Sequence, residues 1–209
     1  MEIEEKLKKA LAEIRKAEPR KFNQTVDLII NLQKYSVKKN PINLFVNVPY
    51  KTKEKKIAGF FEVRSDLVDT VVPEQFKKYK DKKALKSLVK SYDFFVAQGS
   101  LMPKVATTFG RVLGPAGKMP SPQLGILLNL DEKAIVELKK KINHNIKVKL
   151  KEASVKVAVG KEDMKDEEIL ENILAVYSEL LKVLPREKEN VKNIEIKLTM
   201  SKPQRVEVR

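Results

Sequence analysis

Both ends of this chain carry stretches in which apolar and polar residues alternate, while its middle carries short runs that are apolar throughout. In TVDLIINL, Val26, Leu28, Ile30 and Leu32 alternate with Thr25, Asp27 and Asn31, the period of a strand with one buried face. INLFVNVPY repeats the pattern after Asn40-Pro41. It returns from about Ile146 in IKVKL and VKVAV, then in NIEIKLT with Ile194, Ile196 and Leu198 inward, and in QRVEV with Val206 and Val208 inward. IAGFF, DFFVA and GILLNL differ: they are continuously apolar and bounded by polar residues, as strands covered on both faces are. Two kinds of strand, one supplied by both chain ends, predict an α/β (α+β) protein of two domains. The outer domain is discontinuous, 1–57 and 152–209, and the α/β domain 58–151 is inserted into it, with crossings near Ile57 and Glu152.

Helical signals fill the gaps. Ile3, Leu7, Leu11 and Ile14 share one face of an amphipathic first helix, whose other face mixes acids with lysines as a core-packing helix does. Pro73 opens PEQFKKYK at a favoured first-turn position, and KKALKSLVKSY follows. Ser100 is the expected cap of SLMPKVATTFGRVL, with Gly114-Pro115 as its stop, and Asp131 the cap of DEKAIVELKKKI. Asp166 is the expected cap of a long helix that keeps Ile169, Leu170, Ile173, Tyr177, Leu180, Leu181 and Leu184 in register until Pro185.

Charge narrows the function. Lys and Arg number 43 against 28 Asp and Glu, a net charge of +15, so polyanions are the natural partners. The absence of cysteine removes disulfides, thiolate catalysis and thiolate zinc sites. His144 is the single histidine and has no second imidazole with which to hold a metal; its place at the polar end of a helix predicts a solvated or carbonyl-capping role. No metal or other cofactor is expected. No apolar run approaches the roughly 18 residues of a membrane span, and the charged MEIEEKLKKALAEI is unlike a secretory signal, so the expected location is cytoplasmic with no membrane partner.

From Gly110 to Pro122, three glycines and three prolines fall within thirteen residues and predict a shaped loop at the end of a helix. A P-loop needs a glycine, four residues, then Gly-Lys-Ser/Thr between a strand and the start of a helix. Here Gly117-Lys118 has Val112 at the first glycine position and Met119 at the hydroxyl position. A helix also precedes the loop and turns its negative end toward it, which disfavours phosphate. The alternative of a nucleotide-binding enzyme built on the central domain further lacks a G-x-G-x-x-G after a strand and any recognisable nucleophile and base pair.

Three segments do resemble the large-subunit ribosomal protein L-one family, archaeal and eukaryotic-like branch. They are Leu113-Gly114-Pro115 with Gly117, Met119-Pro120 and Pro122; KFNQTVDLIINL near the start; and LTMSKPQRVEV at the end. The departures are Ser201, where the family usually has glycine, and Lys202 ahead of Pro203. The resemblance implies a first domain of split β-α-β type from both termini, an inserted Rossmann-like second domain, and a hinge at the two crossings. It also implies a non-enzymatic constituent of the large ribosomal subunit, part of the mobile stalk beside the exit tRNA site and monomeric outside the ribosome. Its implied partners are large-subunit rRNA, deacylated exit-site tRNA whose release it aids, and an operator on its own messenger RNA through which it represses translation.

The two-residue period turns Thr25 and Asp27 of the early strand outward, and Asn193, Glu195, Lys197 and Thr199 of the late one, where they can bond phosphate, ribose or base edges. By resemblance, Phe22, Thr25, Asn193, Thr199, Met200 and Ser201 belong to the family's RNA-binding surface. Phe22 beside Lys21 offers an apolar or stacking surface next to a phosphate contact, or else seals the strand end as a core residue. A serine at 201 either suits its turn or holds RNA less closely than glycine, which permits positive φ. Lys161, after Gly160, joins the RNA-binding candidates. Arg111 and Lys118 are candidates for a secondary RNA or interdomain contact, the alternative being a rigid turn.

Overall fold

The structure, a computed structural model, describes residues 2–206 apart from 17, 19, 38–39, 123, 128–130 and 151. In chain order its elements are α1 (Glu2–Arg15), β1 (Thr25–Leu32), β2 (Asn43–Asn47), β3 (Ile57–Phe60), β4 (Asp69–Thr70), α2 (Lys82–Ser91), β5 (Phe94–Gln98) and α3 (Met102–Ala116). There follow β6 (Ile126–Leu127), α4 (Glu132–His144), β7 (Asn145–Lys149), β8 (Ser154–Lys161), α5 (Asp166–Val183), β9 (Val191–Leu198) and β10 (Gln204–Val206). PEQFKKYK forms a 3-10 stretch, Pro73–Lys80, ahead of α2. The fold is mixed α/β, and the chain divides into two compact units, Met1–Lys53 with His144–Arg209, and Glu54–Asn143.

In the first unit an antiparallel sheet runs β10-β9-β1-β8, so β1 from the start of the chain lies between two strands from its end. Along β1 every second residue is buried, Val26, Leu28, Ile30 and Leu32, as its alternation requires. These pack with Val155, Val157 and Val159 of β8, Ile194, Ile196 and Leu198 of β9, Leu7, Leu11 and Ile14 of α1, and Ile169, Ile173, Val176 and Leu180 of α5. Each such side chain contributes roughly 1.5–3 kcal/mol on full burial. Because the sheet's apolar residues all point to this core, its polar residues occupy the opposite face. Asn172, buried on α5, donates to the carbonyls of Tyr50 and Val159 and accepts the Tyr50 N–H, fastening the segment after β2 to the core.

The first crossing falls at Lys53/Glu54, a few residues before Ile57, and the second at Asn143/His144, well before Glu152. IKVKL, which the expected boundary assigned to 58–151, forms β7 and pairs antiparallel with β2. Its alternation explains this. Ile146 and Val148 are buried and join the first unit's core, while Lys149 is exposed, which is the pattern of a half-buried strand and not of a doubly covered one.

The second unit holds a parallel sheet of order β4-β3-β5-β6. Ala58, Phe60, Phe95 and Ala97 pack with residues of α2 and α3, including Leu88, Val105 and Phe109. Phe60 stacks on Phe95 at 5.7 Å between ring centroids and meets Phe109 at 4.8 Å. Ile57 and Val96 face the other way, toward Ile135 and Leu138 of α4. Both sheet faces are therefore covered, which is why its strands read as continuous apolar runs. Gly59 has to lack a side chain, since a Cβ there would strike the buried Phe61 ring. The two-residue β4 was not anticipated, and Val208 and the last three residues of GILLNL lie outside the described residues.

Three helix ends differ from expectation. α3 passes through Gly114 and Pro115 and stops at Gly117, which takes φ 69°. The N–H groups of Gly117 and Lys118 then close on the carbonyls of Gly114 and Leu113, satisfying two carbonyls that the helix end leaves open. Proline tolerates this position because only its own amide bond is lost, one turn from the end. Ser100 does not cap α3, whose preceding residue is Leu101; its hydroxyl donates to Glu62 Oε1 at 2.9 Å. Asp166 is the first residue of α5 and not its cap, and its carboxylate receives Arg15 Nε at 2.5 Å.

Candidate nucleic-acid interface

One end of the four-stranded sheet gathers residues from the start and the finish of the chain. β1 begins at Thr25, whose N–H donates to Thr199 Oγ1 at 3.1 Å, a pairing of residues 174 apart in the chain. Beside it, the backbone N–H of Met200 donates to Gln24 Oε1 at 3.1 Å. Lys161 stands opposite Thr25 across the β1–β8 ladder, and Lys197 opposite Asp27 across β1–β9. The β1–β8 ladder shifts register between Val26 and Asp27, so it is irregular at this end.

Two large apolar side chains stand out from this end into solvent, Phe22 at 51% and Met200 at 62% exposure. Phe22 therefore does not seal the core. It lines a depression of about 440 Å³ with Arg20, Lys21, Asn23, Glu162 and Asp163. Burial pushes the Asp27 carboxyl above its ordinary value, and the facing Lys197 partly offsets this. Ser201 is not in the positive-φ region. Its hydroxyl accepts the Leu198 N–H at 2.8 Å and its own N–H reaches the Leu198 carbonyl at 3.1 Å, so serine closes this turn without strain.

Other expected residues lie elsewhere. Asn193 is only 4% exposed, not on an accessible face, and it sits opposite Asn31 at the far end of β1, about 20 Å from Thr25 along the strand. There its Nδ2 donates to Glu195 Oε1 at 3.0 Å, the oxygen that Asn31 Nδ2 also reaches, and the ladder shifts register beside it between Asn31 and Leu32. Alternation gives the side of a sheet but not the depth of cover. Arg111 is exposed on α3. Lys118 has a structural role: its Nζ donates to the carbonyls of Val89 and Tyr92 at 2.7 Å each, closing the C-terminal end of α2 within the second unit. With that ammonium engaged and the loop leaving a helix C-terminus, the Gly110–Pro122 segment has no phosphate cradle. His144 ends α4 with Nδ1 3.2 Å from the Val48 carbonyl.

Gln24, 1% exposed, was missed. It occupies the inward phase of β1 with Val26 and Leu28, and a polar residue in that phase was the available signal. Its N–H donates to Glu162 Oε2 and its carbonyl accepts the Glu162 N–H, so Glu162 belongs to the same end of the sheet.

Residues 13–202 match the model of the ribosomal protein L1p/L10e family. The chain belongs to this family. Among its relatives are proteins called large ribosomal subunit protein uL1: that of Pyrobaculum islandicum is 39% identical, over 95% of this chain and 90% of its own. Those of Thermococcus kodakarensis and Nanoarchaeum equitans are 36% and 35% identical, over 97% and 92% of this chain and 97% and 95% of their own. The L1p/L10e match takes in Phe22, Thr25 and the 199–201 turn, and it leaves most of α1 and all of β10 outside.

Proposed function

We propose that this protein is a structural, rRNA-binding constituent of the large ribosomal subunit, acting at the cytoplasmic ribosome and monomeric away from it. Family membership supports the ribosomal assignment. The observation that carries the binding surface is the exposure of Phe22 and Met200 among cations, on two segments tied together by the Thr25–Thr199 and Gln24–Met200 hydrogen bonds. Phe22 and Met200 stand at the same end of the sheet, and exposed apolar surface rimmed by polar residues marks interaction sites. Lys21, Lys161 and Lys197 neutralise phosphates; Thr25, Asp27, Thr199 and Ser201 supply polar edges. Phe22 offers its ring to an unpaired base, a contact worth about 1–3 kcal/mol. Asn193 and Lys118 have no part in this grip.

The finer roles, release of deacylated exit-site tRNA and repression of the protein's own messenger, rest on the family motifs alone. Added protein should lower cell-free synthesis from its own message more than from an unrelated one; equal inhibition removes the repressor role.

Binding is tested by titrating large-subunit rRNA and a scrambled duplex of equal length against the wild type, Phe22→Ala and Thr199→Ala over a salt series. Both variants should lose rRNA affinity while keeping the log–log salt slope, to which each neutralised phosphate contributes roughly 0.7–0.9. A changed slope with unchanged discrimination between the two RNAs rejects the site. In a chain with residues 54–143 removed and the ends joined, rRNA discrimination should persist.

A further inference from the structure

Gln24 is as buried as a core leucine, yet it takes part in three hydrogen bonds that join distant segments. Its N–H donates to Glu162 Oε2 at 3.2 Å, its carbonyl accepts the Glu162 N–H at 2.9 Å, and its side-chain Oε1 accepts the Met200 N–H at 3.1 Å. Glu162 lies on the turn after β8, and that turn is itself held. Arg15 of α1 donates from Nη1 to the Glu162 carbonyl at 2.9 Å and from Nη2 to the Met164 carbonyl at 2.6 Å. One buried amide thus sits between the loop bearing Lys21 and Phe22, the turn after Lys161, and the turn bearing Met200.

We propose that Gln24 is a positioning residue for the RNA grip: it touches no RNA, and it fixes the Met200 turn relative to Phe22 before RNA arrives. This rests on the binding surface proposed above. An amide in an exposed turn that bonded only to water would leave the turn free to tilt, and ordering it would then be a cost of binding; a buried acceptor from a neighbouring segment removes that cost. A neutral amide suits the place better than a carboxylate, because the Glu162 carboxylate already lies against the Gln24 N–H and the face beyond is meant for phosphates.

The full-length protein serves for the test, with large-subunit rRNA and the scrambled duplex as probes. Gln24→Met keeps the size and removes the acceptor. It should lose roughly tenfold in rRNA affinity, with duplex affinity and salt slope unchanged. Gln24→Glu keeps an oxygen for the Met200 N–H but sets a carboxylate beside that of Glu162, so most of the rRNA affinity should return in the double variant Gln24→Glu with Glu162→Gln, where that repulsion is removed. In the free wild-type protein the Met200 amide should exchange with solvent more slowly than that of Lys202. Wild-type affinity in Gln24→Met, an equal loss in the double variant Gln24→Glu with Glu162→Gln, or an unprotected Met200 amide each overturns the proposal. Should Gln24→Met melt below the assay temperature, the latter two measurements decide. Failure of the underlying surface has another signature, because Phe22→Ala and Thr199→Ala would then bind rRNA like the wild type. If only the role of Gln24 is wrong, those two losses remain.

Discussion

The two units of this protein spend their polar side chains in opposite ways. In the inserted unit the sheet is covered on both faces, and Lys118, which looked available, is engaged at home at the end of α2, while Arg111 stays exposed on α3. In the unit built from both chain ends the sheet has one apolar face, and the end of the other gathers lysines, hydroxyls and two solvent-facing apolar side chains. In the Gly110–Pro122 motif the glycines and prolines shape a helix end, with Gly117 at φ 69°. What distinguishes the proposed binding end is large apolar surface left in water on segments joined by the Thr25–Thr199 and Gln24–Met200 bonds.

That contrast can be broken at its strongest point first. Phe60→Ala opens the aromatic core of the inserted unit and should cost about 3–5 kcal/mol of that unit's stability. Calorimetry should show it melting earlier while rRNA affinity at low temperature is retained; parallel loss of affinity would join what the comparison separates. Lys118→Met comes next, removing a cation from the helix end and leaving two carbonyls without it, for about 1–2 kcal/mol. Its unfolding midpoint should fall with no change in rRNA binding or salt slope, whereas a shallower slope would return Lys118 to the RNA surface.

Asp27→Asn should give the smallest change, in the first unit. Since burial raises the folded carboxyl above its ordinary value of 3.8, the native state binds more protons than the unfolded chain between that value and the raised one. The contribution of Asp27 to stability therefore falls as pH climbs through that window, and it stays low at neutral pH. Asparagine removes the effect, so the variant should be slightly more stable than the wild type at pH 7, with the difference vanishing below about pH 4. Chemical denaturation at the two pH values measures it; a variant less stable at pH 7 would show that the Lys197 partnership outweighs burial.

Periodicity made β1 legible to the residue, and it also gave the inward set of β9, because in both strands one face meets a continuous core. It failed where burial comes from something other than phase. Asn193 faces the polar side but is closed in by Asn31, Glu195 and a register shift that no single strand reveals. For α3, Gly114-Pro115 carries a local stop signal, yet Gly117 two residues on offers the same left-handed option and also lets Lys118 reach Leu113, so the longer helix wins. The boundary of the inserted unit was misplaced because IKVKL follows α4 directly, although its own alternation matched β2. The inward phase of Gln24 was readable, but its partners at 162 and 200 were not, because they are set by tertiary closure and not by neighbours in sequence.

The Thr25–Thr199 bond also makes the proposed surface non-local. Its two halves stand 174 residues apart in sequence and meet only where β1 lies between β8 and β9. An unfolded chain therefore carries that surface as two unmatched pieces, and closing the sheet restores both at one stroke.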